Sequence, residues 1–450
     1  MNTVRSTILE GNSFDPAQSE ALSPASRTLV ARRDRALGPS YRLFYQRPLN
    51  LVRGEGVHLY DADGVEYLDC YNNVASIGHA NPAVVEAVTK QASTLNTHTR
   101  YLGEGVVSYA EQLLATLPDE IDRAMFVCTG SEANDLALRV AFEATGGRGV
   151  VVTNEAYHGT SSLVAAASPA TGPGQPLDPG VRTVAPPDAY RDGGPEGVGE
   201  RFAARIDRAF ADLRRHGITP AALLIDSIFS SDGVYVDPTD LLAAAFEVTR
   251  RHGAVVIADE VQPGFARTGD TFWGFQRHGV VPDMVTMGKP MGNGIPVAAL
   301  AASEAVLAPF GERVPYFNTF GGNPVSIAAA QAVLDVIQGQ ELQANAIARG
   351  EQALAGFRTL AERHPLIGDI RGAGLYFGVE LVTDRATKTP ATAAAGAVIN
   401  GMRDRRVLIS VCGPDNATLK MRPLLVSTAE DVDRLLESLD DTLTEVEASL

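Results

Sequence analysis

Between residues 124 and 287 the chain alternates two kinds of segment, and this alternation most limits how it can fold. Short apolar runs stand at residues 124–128, 149–153, 221–225, 254–258 and 284–287. Segments of helical spacing fall between several of them, at 132–144, 201–215 and 241–252. A strand with one wet face alternates apolar and polar side chains, so runs this short and continuously apolar suit strands covered on both faces. Strand and helix in turn predict an α/β fold built on a mostly parallel, doubly wound sheet.

Elements outside that region are predicted from local signals. Residues 168–199 are rich in Pro and Gly and are read as a long surface loop rather than a domain linker, because the alternation resumes after them. Val57 to Tyr60 and Glu66 to Asp69 flank an Asp-Gly turn, which predicts a β-hairpin. Asn81-Pro82 opens an apolar-periodic stretch to about Ser93, with Asn as N-cap and Pro at the first helical position. From about Ser326 the pattern is helical to Arg363 and then mixed, which predicts a smaller α+β domain. Residues 1 to about 40 are polar and read as an arm or short helix.

Composition removes several classes of function. With 38 Lys and Arg against 54 Asp and Glu, the net charge is -16, and such a chain is a poor partner for nucleic acid or anionic membranes. Cys70, Cys128 and Cys412 are widely separated, so neither a disulfide framework nor a metal site is expected. The first residues lack the apolar core of a secretory signal and no run reaches about 18 apolar residues, so a cytoplasmic protein is expected. At 450 residues, the chain is long enough for two to four domains of about 100–200 residues.

Four local constellations carry chemistry. Asp259 ends the apolar run 254–258, where ligands gather in parallel sheets; its alternative role is a plain helix cap. Lys289 follows the run 284–287 between glycines; burial there lowers an ammonium pKa and frees the amine as a nucleophile, whereas an exposed turn leaves it a surface lysine. Gly130 and Ser131 open a helix directly after a strand, a place for a phosphate or for simple N-capping by Ser131. Tyr157 and His158 close the run 149–153 and offer either a flat ring against a ligand or ordinary packing. Taken together, a lysine, a strand-end carboxylate, an aromatic ring and a helix N-terminus are the parts of a pyridoxal phosphate site. Gly372-Ala373-Gly374 lacks the full dinucleotide spacing, and the sole tryptophan, Trp273, reads as packing.

The stretches TGSEANDLALRVA, NEAYHGT, ADEVQPGFARTG, PDMVTMGKPMGNGIPVAAL, NTFGGNP, IRGAGL and LKMRPLL resemble the class III (ω-) aminotransferases of fold type I over nearly the whole chain. That resemblance implies a large pyridoxal-phosphate-binding domain with a mostly parallel sheet (76–330), a small C-terminal domain (331–450) and an N-terminal segment (1–75) contributing to the small one. It implies that Lys289 forms the internal aldimine and Asp259 pairs with the ring nitrogen. Tyr157 and Val261 would pack the two ring faces, with Gln262 near the ring hydroxyl. Gly130 and Ser131 would hold the cofactor phosphate, joined by Thr319 of a neighbouring subunit, which implies a homodimer or dimer of dimers. Arg422 corresponds to an arginine that often holds a substrate carboxylate.

A narrower resemblance, to the phospho-lyases acting on ethanolamine phosphate and 5-phosphohydroxylysine, rests on GPSYRLFYQ, LDCYNNVASIGHANP, LNTHTRYL, LIGDIRGAGL, KTPATAAA and LKMRP. It implies elimination of phosphate from a small β-phosphorylated primary amine, leaving an aldehyde and ammonia. The alternatives are transamination between an amine and a keto acid, and a non-catalytic carrier or regulatory role. One departure favours elimination. Where two-substrate aminotransferases carry a glutamate that pairs with the carboxylate-binding arginine, this chain has Ser231, with Asp232 beside it. Arg422, with Arg53, Arg100 or Lys420, are candidates for the substrate's anion, and an acidic chain taking a phosphate ester must hold a basic pocket around Lys289.

Overall fold

A computed structural model describes residues 10–450. Residues 1–9 of the expected polar arm lie outside the described residues; the arm continues as a helix, Pro24–Leu37, capped by Ser23. The strands in chain order are Leu51–Glu55 (β1), His58–Asp61 (β2), Glu66–Asp69 (β3), Arg123–Val127 (β4), Gly149–Thr153 (β5), Val181–Val184 (β6), Pro220–Asp226 (β7) and Val255–Asp259 (β8). They continue as Met284–Met287 (β9), Ala298–Ala302 (β10), Ile367–Ala373 (β11), Tyr376–Asp384 (β12), Thr389–Pro390 (β13), Val407–Leu408 (β14), Ser410–Cys412 (β15) and Thr418–Met421 (β16).

The main sheet runs β4-β10-β9-β8-β7-β5-β6. Strands β9, β8, β7, β5 and β6 are parallel, and β10 runs against both its neighbours. All of β5, β9 and β10 is buried, as the uninterrupted apolar runs require. The helix Val198–Arg215 buries Val198, Phe202, Ile206, Phe210 and Leu213, a spacing that keeps one stripe on the sheet. At about 1.5–3 kcal/mol per buried large apolar side chain, such stripes hold helix to sheet. Trp273 is fully buried against Phe265 and Phe272 and donates from Nε1 to Thr116 Oγ1 at 3.0 Å, a packing role.

Two smaller sheets complete the fold. The expected hairpin forms β2 and β3, with β1 added, and β14 pairs parallel with β3, joining the two ends of the chain. The other has order β11-β12-β16-β15, with β13 on β12. Residues 168–199 are not all loop: β6 sits among them at the sheet edge, too short to stand out from the surrounding Pro and Gly. The expected helix through Arg363 is two helices, Pro324–Gly339 and Leu342–Arg363, broken where Glu341 takes a φ of 51°. Among the described residues no helix is long and apolar enough to cross a membrane.

Candidate active site

The carboxyl ends of β7, β8 and β9 lie side by side, with Asp226 opposite Asp259 and Asp259 opposite Thr286. Asp259 is buried and held by three donors. The Val261 amide reaches Oδ1 at 3.1 Å, while Asn134 Nδ2 and His158 Nδ1 reach Oδ2 at 2.8 and 2.7 Å. Asn134 is fixed in turn by Thr286 Oγ1 at 2.5 Å and by the His158 carbonyl at 2.9 Å. Orientation of this carboxylate is therefore set by three separate elements.

A cavity of about 190 Å³ opens above Asp259, walled by Ser131, Tyr157, Val261, Gln262 and Lys289 among others. Lys289 begins the turn after β9 and lines this cavity. Among the described residues no hydrogen bond or ion pair reaches Nζ. Burial pushes the amine below its ordinary pKa, Asp259 opposes that shift and Arg422 adds to it. An amine whose pKa is lowered by burial, and which has no partner, is more readily available as a nucleophile.

The start of the helix Gly130–Thr145 also lines the cavity, through Gly130 and Ser131. Its cap is Thr129, whose hydroxyl takes the Glu132 amide, and Glu132 answers by accepting from the Cys128 and Thr129 amides. Capping is thus done by Thr129 rather than Ser131, and the first-turn amides of Gly130 and Ser131 remain for a ligand. Gly130 lies under Val261, whose methyl would be 2.9 Å from an added Cβ. Gly159, at φ 142°, presses on Ser131, where a Cβ would stand 2.5 Å from Oγ.

A larger chamber of about 570 Å³ adjoins the first and shares Tyr157, Gln262 and Lys289 with it. Arg422 reaches it, donating from Nη1 to Gln262 Oε1 at 2.7 Å, with its guanidinium 4.3 Å from the Tyr71 ring centre. Gln262 also accepts from Tyr376 OH at 2.9 Å and donates to Ser230 Oγ at 2.6 Å. Ser231 lines the chamber, whereas Asp232 turns away to Thr153 Oγ1 at 2.7 Å and the Glu155 amide at 3.0 Å. Burial pushes the Asp232 carboxyl up to about 7. Among the described residues Arg422 meets no carboxylate.

Three expected site residues lie elsewhere in this chain. Arg53 is on the surface of β1, paired with Glu55 at 2.6 Å and stacked on Tyr60. Arg100 is exposed over the Phe317 ring, and Thr319 is exposed close by in sequence. Neither arginine lines either cavity, because each rests on a solvent-facing aromatic instead of a strand end. Asn134, Ser230, Tyr71 and Tyr376 were not singled out from sequence. Asn134 had a signal, since it lies three residues past Ser131 on the same helix face; the other three had none.

Comparison with known proteins shows the family. The model of the family described as aminotransferase class-III matches residues 44–443. The chain is 39% identical over 442 residues to a Drosophila melanogaster protein named alanine–glyoxylate aminotransferase 2-like, covering 95% of this chain and 89% of the relative. It is 34% identical over 469 residues to the Caenorhabditis elegans ethanolamine-phosphate phospho-lyase homolog 1, covering 99% of each. Among solved structures, a phospholyase from Arthrobacter in complex with phosphoethanolamine superposes with a TM-score of 0.89 at 42% identity, covering 92% of this chain and 99% of that one.

Proposed function

This chain belongs to the class-III aminotransferase family, and we propose that it is a phospho-lyase acting on a small β-phosphorylated primary amine such as phosphoethanolamine. The products are an aldehyde, ammonia and inorganic phosphate. The observation that carries this reading is Arg422 without a carboxylate partner. A transaminase that alternates between an amine lacking an α-carboxylate and an amino acid bearing one must cover its arginine in one half-cycle. Here Ser231 lines the chamber and Asp232 faces away, so the arginine stays ready for one kind of anion.

Members of this family are pyridoxal-phosphate-dependent, and the residues present fit that cofactor. A held carboxylate, a flat ring at Tyr157, an unpartnered amine and the free amides of a helix start surround one cavity. When bound, pyridoxal phosphate supplies an aldehyde carbon for a primary amine and a ring that accepts the electron pair of a broken C–H bond. Lys289 would hold the aldehyde, and Asp259 would hold the proton on the ring nitrogen. Tyr157 and Val261 would orient the ring, and the Gly130 and Ser131 amides would bind its phosphate. With the cofactor bound and the substrate amine in place of Lys289, the freed Lys289 amine would be the base for the proton on the carbon bearing nitrogen. Arg422 would hold the substrate's phosphate, which would leave with the C–O bonding pair, and water would complete release of aldehyde and ammonia.

Exposed Tyr101, Leu102 and Phe320 flank Arg100 and Thr319, an apolar surface suited to a second copy of the chain. A dimer through this face would bring Thr319 to the partner's cofactor phosphate.

The test is to incubate the cofactor-loaded protein with phosphoethanolamine and no keto acid, measuring phosphate and ammonia. Continuous release of both supports elimination. A stoichiometric conversion of the cofactor to its amine form, with phosphate retained on the substrate, replaces it with transamination.

A further inference from the structure

The wall of the larger chamber is of two kinds. Its buried cations come from the turn after β9 and from β16 and the residue past its end, as Lys289, Lys420 and Arg422. A different stretch comes from residues 43–51 and from β2. It is apolar, with Leu43, Phe44, Leu49, Leu51 and Leu59 all lining the space. Hydrogen bonds fix this stretch in place. The Phe14 amide donates to the Leu43 carbonyl at 2.8 Å and the Tyr45 amide to the Asn12 carbonyl at 2.9 Å. Tyr45 OH donates to the Ile409 carbonyl at 3.0 Å. Residues 43–45 are thus pinned both to the arm and to the chain between β14 and β15.

Phe44 and Leu51 are each 41% exposed although they line the chamber. Apolar side chains left open on a fixed wall favour a ligand that removes them from water. One ring joins this wall to the anion site. Phe44 meets Tyr71 edge-on with 5.7 Å between ring centres, and the Arg422 guanidinium lies 4.3 Å from that same Tyr71 ring. The chamber, at about 570 Å³, falls in the range of pockets that take drug-sized ligands. The two-carbon chain of phosphoethanolamine leaves most of it unfilled. A charged tail meets groups already committed. Arg42, which also lines the chamber, pairs with Glu10 at 3.6 Å, and Asp69 accepts from the Tyr71 and Asn72 amides and from His79.

We propose that this wall is a subsite for an apolar chain of the substrate. The preferred class is then a primary amine whose neighbouring carbon bears both the phosphate and a short alkyl group. The proposal rests on the phospho-lyase reading for the reaction and adds the substituent. The bond changes stay the same. The C–H bond beside nitrogen and the C–O bond to phosphate break, the latter pair leaving with phosphate, and a C=C bond forms. Water then replaces nitrogen. The products are inorganic phosphate, ammonia and an aldehyde lengthened by the alkyl group, with no net oxidation.

Two measurements on the cofactor-loaded protein test this. The first is kcat/KM for phosphate release from phosphoethanolamine and from its homologues with methyl, propyl and pentyl groups on the phosphate-bearing carbon. 5-Phosphohydroxylysine, whose tail is an amino acid, is run beside them. The second is calorimetric affinity for the same chains without the amine, from ethyl phosphate to sec-heptyl phosphate. Both quantities should rise about threefold per methylene, and 5-phosphohydroxylysine should fall below the propyl homologue. Phe44→Ser should flatten the gain per methylene, whatever it does to phosphoethanolamine itself. Where the series is turned over, kcat/KM that does not grow with chain length overturns the subsite and leaves elimination standing. A gain untouched by Phe44→Ser, or 5-phosphohydroxylysine as the best substrate, overturns it as well. If no member releases phosphate, elimination falls and the affinities decide: growth with the chain keeps the subsite, and flat affinities remove it. The wild-type series decides alone if the variant folds poorly.

Discussion

His158 Nδ1 meets Asp259 Oδ2 at 2.7 Å, with both side chains almost wholly buried. Asn134 donates to the same oxygen, so the carboxylate is steered by two side chains before any ligand arrives. Residues of this kind act through the group they orient. His158→Phe should lower kcat about 10- to 100-fold, change KM for the amine little, and leave the absorbance band of lysine-bound cofactor in place. Lys289→Ala should abolish that band. A His158→Phe protein with normal kcat would show that Asn134 and the Val261 amide suffice.

Gly159 carries a φ that L side chains rarely adopt and packs directly on Ser131. An added methyl cannot be absorbed by a flexible tip, because Ser131 Cα is also only 2.7 Å from the Cβ position. Gly159→Ala should therefore displace the helix start and weaken cofactor binding by about tenfold or more, with backbone strain of order 1–3 kcal/mol behind it. Equilibrium dialysis of the cofactor measures this directly. Retention as tight as wild type would mean the Gly130–Ser131 end does not hold it.

How much of this was readable from sequence follows from where each residue sits. Lys289 and Asp259 could be found because residue type and a strand-end position are both local signals. Gly130 and Ser131 likewise announce a helix start, although the cap proved to be Thr129. Tyr71 lines the chamber from the loop after β3, while Ser230 and Tyr376 hold Gln262 from the loop after β7 and the start of β12; only the assembled topology brings them together. Arg53 and Arg100 illustrate the converse. A lone arginine in a polar stretch carries no sign of where it will point, and both settled over surface aromatics.

Ser231 tests the missing carboxylate partner of Arg422. Ser231→Glu would put a carboxylate into the chamber wall beside the anion site, competing with the substrate's phosphate. Phosphoethanolamine KM should rise about tenfold or more, in line with like-charge juxtaposition costing several kcal/mol. Asp232→Asn should leave KM nearly unchanged, since Asp232 faces Thr153 and the Glu155 amide. A KM clearly lowered by Asp232→Asn would place Asp232, not Ser231, at the anion.

Anion affinity should depend on pH through Lys420, which lines the chamber. Burial pushes its amine down to about 7, with Arg422 and Lys289 acting in the same direction and Cys412 and Asp226 opposing. Tyr376 supplies the remaining neighbour, a neutral ring. A bound dianion favours the charged ammonium, so binding raises this pKa and takes up a proton wherever the free amine is neutral. Affinity is then fully present below the free-protein pKa and is lost as pH rises above it. Sulfate is the suitable probe, because it stays dianionic throughout and any change belongs to the protein. Its affinity for the cofactor-loaded enzyme should be flat below about pH 6 and fall towards tenfold per unit above about pH 7, the limit for one coupled proton. Lys420→Arg holds a permanent charge and should lose that slope, while any contribution from Lys289 remains in both proteins. Parallel slopes in the two would show that Lys420 is not the titrating group, and an affinity that climbs with pH would contradict the sign of the linkage.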